Sequence, residues 1–272
     1  MKVKIFKHKK IICLCVLLVC LLLIPRPLNK ETFNNKLKNE RKTYTITGKK
    51  DGFGAQYQAI MSGIAYSNYM NYIYVHTPFY EVEHTQDIKS LNKFIGIPFN
   101  NNNKNIDIVQ EYSASVHNSQ HPSKYYTRQV LDKIRKLYHS NSKPNINNID
   151  IAIHIRRGDV NKNSNSNRYT NNNKYKKYID YFLKKYPKYN ITIFSQGNET
   201  DFQNLKHSKV SFDLNSNVEK TFHSLVMAKV LLISKSSFSY SSALLNKNTI
   251  YYIDFWHKPL QHWLLIDNEI NK

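Results

Sequence analysis

The most constraining feature of the chain is the alternation of short apolar runs with helical patterns over its second half. Residues 151–155, 191–194, 210–212, 230–233 and 250–253 read as strands. Between them, residues 175–186 carry Tyr178, Ile179, Phe182 and Leu183 at helical spacing. Residues 218–228 place Phe222, Leu225 and Val226 on one helical face, and residues 201–205 and 239–245 read as short helices. Strands alternating with helices pair in parallel, because each crossover returns the chain to the same edge of the sheet. A Rossmann-like α/β domain, its sheet covered on both faces, is therefore expected from about residue 145 onward. The first half is less regular. It reads as a strand at 44–47, a glycine turn, a helix at 56–70, a strand at 72–75 and a helix at 125–138. Lys143-Pro144-Asn145 breaks the helical pattern and separates an N-terminal half, 44–144, from a C-terminal half, 145–272.

The N-terminus has a different character. Five lysines in residues 1–10 precede an unbroken apolar run at 11–24. A basic flank of this kind is retained in the cytosol. Pro25-Arg26-Pro27 follows without a small-x-small cleavage site. A signal anchor at 11–25 is favoured over a cleaved signal peptide. The lysine-rich segment at 26–43 reads as a stem. This organisation predicts a single-pass type II membrane protein with a luminal domain. Cys13, Cys15 and Cys20 all fall inside the apolar run, so the domain is expected to fold without disulfides or a cysteine-based zinc site. Asn190 and Asn198 each begin an N-x-T triplet that permits glycosylation in a secretory lumen.

The formal charge of +21, from 40 Lys+Arg against 19 Asp+Glu, suggests an anionic partner. No helix-turn-helix, zinc-finger or RNP pattern accompanies it, so nucleic acid is not the expected one. Chemistry instead concentrates at His154-Ile155-Arg156-Arg157-Gly158-Asp159. Strand alternation sends Ile151, Ile153 and Ile155 to one face, and Ala152, His154 and Arg156 to the other. His154 and Arg156 then stand at the carboxyl end of a parallel strand, where open α/β sheets bind ligands. Arginine there suits a phosphate, and Gly158 lets the chain turn off the strand. Ser234-Lys235-Ser236-Ser237 follows a second strand and precedes a helix, an arrangement suited to an anion. Asp51-Gly52-Phe53-Gly54-Ala55-Gln56 is either a tight strand-to-helix turn or a place of close backbone approach to a ligand, with Gln56 bonding a hydroxyl-rich substrate. His257 and His262, near Trp256 and Trp263, could line an acceptor groove, although aromatic residues in a C-terminal helix are more often core.

These motifs occur in the same order in the GDP-fucose-dependent fucosyltransferases, and the chain resembles their α1,2 branch. That branch has a G-x-G-N-Q turn, an H-x-R-R-G-D strand end and a late S-[ST]-F-S segment. The counterparts here are residues 52–56, 154–159 and 236–239. The α1,6 and protein O-fucosyltransferases are more distantly similar. The resemblance implies a GT-B-like fold of two Rossmann-type halves, with the donor held mainly by the second. It implies inverting, metal-independent transfer of fucose from GDP-fucose to a glycan hydroxyl, no cofactor, and a Golgi location. It assigns the donor phosphate to Arg156, Ser236 and Ser237, with His154 and Arg157 beside the nucleotide. Gly52, Gly54 and Gln56 would form the turn over the substrates. Thr221 stands where the family often has an acidic residue for the guanine, and Glu219 or His223 could substitute. Asp159 and Asp51 are the candidates for the catalytic base. A transferase using another nucleotide sugar, or an inactive glycan-binding relative, is the alternative.

Overall fold

The computed structural model describes residues 41–48, 50–83, 87–99, 105–111 and 119–272. Residues 42–272 form one compact unit. The expected tail, anchor and most of the stem lie outside the described residues. Among the described residues no helix is long and apolar enough to cross a membrane.

The N-terminal half is built from β1 (Thr43–Thr47), α1 (Phe53–Tyr69), β2 (Ile73–Tyr74), α2 (Ile88–Phe94), β3 (Ile108–Glu111) and α3 (Arg128–Tyr138). The C-terminal half follows with β4 (Ile151–His154), α4 (Asn172–Lys185), β5 (Ile191–Ser195), β6 (Val210–Leu214), α5 (Val218–Met227), β7 (Val230–Ile233), α6 (Ser237–Leu245), β8 (Thr249–Tyr252), β9 (Leu264–Leu265) and α7 (Ile266–Glu269). The chain is thus α/β with two parallel sheets, ordered β2-β1-β3 and β6-β5-β4-β7-β8-β9. The first is smaller than a Rossmann half, with a two-residue β2. Four elements escape the sequence patterns: α2, capped by Asp87 accepting from the Ser90 N–H, the short β3, β9 and α7.

The large sheet obeys the alternation of β4. Ile151, Ile153 and Ile155 pack under α4 with Tyr178 and Phe182, while Ala152 faces α5 and α6. The second of these cores does not stop at the sheet. It runs through Phe222 and Tyr240 into Phe53, Tyr57, Phe94 and Tyr138 of the N-terminal half. Phe53 meets Phe222 edge-on at 5.2 Å between centroids, a geometry that aromatic rings favour. The two halves therefore share one core. A Cβ on Gly54 would strike the backbone of Phe238, and Ser241 Oγ donates to the Gly54 carbonyl at 2.9 Å. Gly54 is the point where α1 and α6 touch.

Candidate active site

The strand order reverses at β4, which has β5 on one side and β7 on the other. A crevice opens at the carboxyl ends of such a pair. Here it is a cavity of about 600 Å³, and the ends of β4, β5 and β7 all reach it. His154 forms part of its floor. Its Nδ1 lies 2.8 Å from Ser234 Oγ, and its ring lies 5.5 Å from that of Phe238. Burial, reinforced by the Arg156 charge, pushes His154 down to about 3, so the imidazole is neutral at physiological pH.

The two arginines of the motif have different surroundings. Arg156 Nη2 donates to Asp159 Oδ2 at 2.8 Å, and its side chain keeps 28% of its exposure beside the cavity. Arg157 is fastened into the protein. It donates to the Arg156 and Thr170 carbonyls at 2.8 and 2.9 Å and to Asn172 Oδ1 at 2.6 Å. Its guanidinium lies 4.6 Å from the Tyr169 ring centre. Gly158 follows at φ 81°, and a Cβ there would strike the Gln196 side chain. At the end of β7, Ser236 caps α6 by accepting from the Phe238 N–H at 3.2 Å. Ser237 Oγ lies 3.1 Å from His257 Nε2. Ser236, Ser237 and Phe238, at the N-terminal end of α6, thus line the same cavity as Arg156. Ser216, Val218 and Thr221 line it beyond β5.

The N-terminal half closes the cavity with Asp51, Gly52, Phe53, Gly54, Ala55 and Glu83. Gly52 and Glu83 pair as a parallel bridge, which holds the two acidic residues on one wall.

A family model described as Glycosyl transferase family 11 matches residues 74–261. The chain belongs to this family. It is a glycosyltransferase of fucosyltransferase type. Similar solved structures include a point mutant of Arabidopsis thaliana FUT1 in complex with GDP, at 11% identity and a TM-score of 0.42, covering 86% of this chain and 77% of that one. Another is E. coli heptosyltransferase WaaC with ADP-2-deoxy-2-fluoro heptose, at 11% identity and a TM-score of 0.42, covering 82% and 92%. The same enzyme with ADP matches at 12% identity and a TM-score of 0.41, covering 80% and 88%. No curated protein matches the chain significantly by sequence.

Several sequence-based assignments for this family 11 chain are corrected by the geometry. Gln56 is not among the residues that line the cavity. Its amide is buried and donates to the Asp51 and Glu81 carbonyls at 2.6 and 2.8 Å, tying the turn to the strand-like segment beside it. His223 does not reach the cavity either. It is buried against the Tyr138 hydroxyl at 3.0 Å, and burial with nearby His139 and Lys143 lowers it to about 4. Glu219 accepts from Ser90 Oγ at 2.6 Å, away from the lining residues. Trp256 and His257 are not simply core. Both line the cavity, with Arg168 and Lys235 close by, whereas Trp263 is buried. Asn190 and Asn198 are exposed beside β5. Among the described residues, no three His, Cys, Asp or Glu side chains gather as a metal site would require.

Proposed function

We propose that the chain transfers fucose from GDP-fucose to a glycan hydroxyl with inversion, without a metal ion. The observation that carries this reading is the convergence of Arg156 and the α6 N-terminus on one cavity at the reversal of strand order. In the reaction the acceptor oxygen forms a bond to the sugar C1 while the bond from C1 to the phosphate oxygen breaks. GDP leaves with the electron pair, and its new charge falls on the β-phosphate. A fixed guanidinium and a row of helix N–H groups stabilise that charge in the transition state, a role a divalent cation fills in other transferases. Neutral His154 fits the same site, because it orients through Ser234 without adding a charge. Asp159 is committed to Arg156, so it serves as an orienting partner of that guanidinium. The carboxylates of the opposite wall, Asp51 and Glu83, line the same cavity and are the candidates to take the acceptor proton. Ser216 and Thr221 extend the cavity with hydroxyls that suit a nucleoside. The lysine-flanked apolar run supports a type II anchor and a secretory-lumen location for the domain.

The test is a titration of the purified full chain with GDP-fucose, GDP-mannose and UDP-galactose, with and without EDTA, reading binding heat and slow donor hydrolysis. Selective, EDTA-insensitive binding of GDP-fucose that disappears in Arg156→Ala is expected. Preference for another donor would overturn the donor assignment and trace it to Thr221. Absence of any nucleotide binding by the folded chain would overturn the transferase chemistry itself.

A further inference from the structure

The chain has two tryptophans, and the fold treats them in opposite ways. Trp263 is 6% exposed and packs on Tyr240 at 5.0 Å between ring centres. Trp256 is 39% exposed and lines the catalytic cavity just beyond β8. Its ring touches Phe255 and His257 at 5.1 and 5.6 Å between centres, and the rest of the indole stays open to the cleft. Arg168 stands over the Trp256 ring at 5.3 Å from its centre. It arrives from the short 3-10 helix Ser166–Arg168, in the long polar loop after β4. Two loops from different strands therefore bring a guanidinium to a partly open aromatic ring at one end of the cavity.

The other end has the opposite chemistry. Gln196, Ser216 and Thr221 present hydrogen-bonding groups beyond β5 and β6. The phosphate-binding groups, Arg156 and the α6 N-terminus, lie between the two ends. A nucleoside diphosphate sugar laid across this row places its base and ribose at one end and its sugar toward the other. Hydrogen-bonding side chains suit the edges of a base and the hydroxyls of a ribose. An indole beside a guanidinium suits a pyranose: the ring's negative face attracts the polarised C–H groups, and the guanidinium donates to hydroxyl oxygens at the rim.

We propose that Trp256 and Arg168 form the subsite for the acceptor sugar, with a pyranose ring stacked on the indole and its hydroxyls held by Arg168. The proposal rests on the glycosyl-transfer reading of the same cavity. It makes Trp256 a determinant of acceptor affinity, separate from the donor contacts.

Steady-state kinetics on the full chain test it, with GDP-fucose as donor and methyl β-D-galactopyranoside or methyl α-D-mannopyranoside as acceptor probes. Trp256→Ala is expected to raise the acceptor KM about tenfold, as truncating an aromatic anchor does. The donor KM and the acceptor-independent hydrolysis of GDP-fucose should stay close to wild type. Trp256→Phe should recover most of the acceptor affinity, and Arg168→Gln should weaken it less than Trp256→Ala does. A direct readout uses Trp263→Phe, which leaves Trp256 as the only indole. Its emission should respond to a glycoside, with or without GDP, and the response should vanish in Trp256→Phe. An unchanged acceptor KM in Trp256→Ala, or an emission that responds to neither glycoside, would overturn the proposal. So would a Trp256→Ala variant that loses GDP affinity instead, because the indole would then be stacking on the base. Failure of wild-type chain to bind any nucleotide sugar is a separate result. It removes the transferase reading, while a glycoside response of Trp256 would still mark a sugar site.

Discussion

The two walls of the cavity are built on different principles. The C-terminal wall is the edge of a six-stranded parallel sheet, and its groups leave straight strands in a direction set by alternation. The N-terminal wall is a turn and a strand-like segment, Asp51–Ala55 and Glu81–Glu83, pinned together by the buried Gln56 amide. One wall owes its precision to a ladder of backbone bonds, and the other to a single side chain and a glycine contact. Arg156 of the first wall can therefore be removed with loss of chemistry alone. The second wall loses shape when its pins are removed.

The largest effect is expected from Arg156→Ala. Turnover of GDP-fucose should fall about a thousandfold, as when an oxyanion-stabilising donor is removed, with circular dichroism unchanged. Gly54→Ala should act on the opposite wall through packing. A methyl forced against the Phe238 backbone should lower stability by about 3 kcal/mol in urea melts. Equal stability to wild type would show that α1 and α6 can separate there. Arg157→Ala sharpens the contrast between neighbouring arginines. Loss of its bonds to Thr170 and Asn172 should reduce stability by about 2 kcal/mol, with a smaller effect on donor affinity than Arg156→Ala. Gln56→Ala should cost about 1 kcal/mol and lower kcat without changing the affinity for GDP.

A separate effect is expected on acid stability. His154 sits at about 3 in the folded protein, against ~6.5 in an unfolded chain. Between these values the unfolded state binds a proton that the folded state refuses, so stability falls as pH drops from about 6.5 toward 3. His76 and His223, both lowered to about 4 chiefly by burial, add to the same window. His154→Asn should therefore flatten the acid limb of a Tm-against-pH curve, and an unaltered slope would place that limb on other groups.

The sequence carries the sheet edge more fully than the turn. Alternation in residues 151–156 sorts the side chains between two faces, and both hydrophobic cores follow that sorting. Where the backbone leaves regular structure, residue type no longer tells direction. Gln56 lies one turn into α1, and nothing local distinguishes an amide that bonds a ligand from one that bonds two backbone carbonyls. His223 shares a helix with Thr221, yet two positions along a helix is far around its axis, and only Thr221 reaches the cavity. Trp256 and Trp263 differ by burial, which depends on the docking of a loop with no periodicity of its own. β3 and α2 are too short for a pattern to emerge.

The contact of Gly54 with Phe238 sits beside the cavity, within a core common to both halves. Two-domain clamps admit and release their ligands by swinging about a hinge, and such a swing needs walls that can part. Here that movement would tear open aromatic packing, so the jaw is fixed. Traffic through the site falls instead to the polar loop carrying Arg168 and to the segment carrying Trp256, whose rearrangement asks only for local motion. Any rearrangement of the site that leaves this packing intact therefore has to come from its loops.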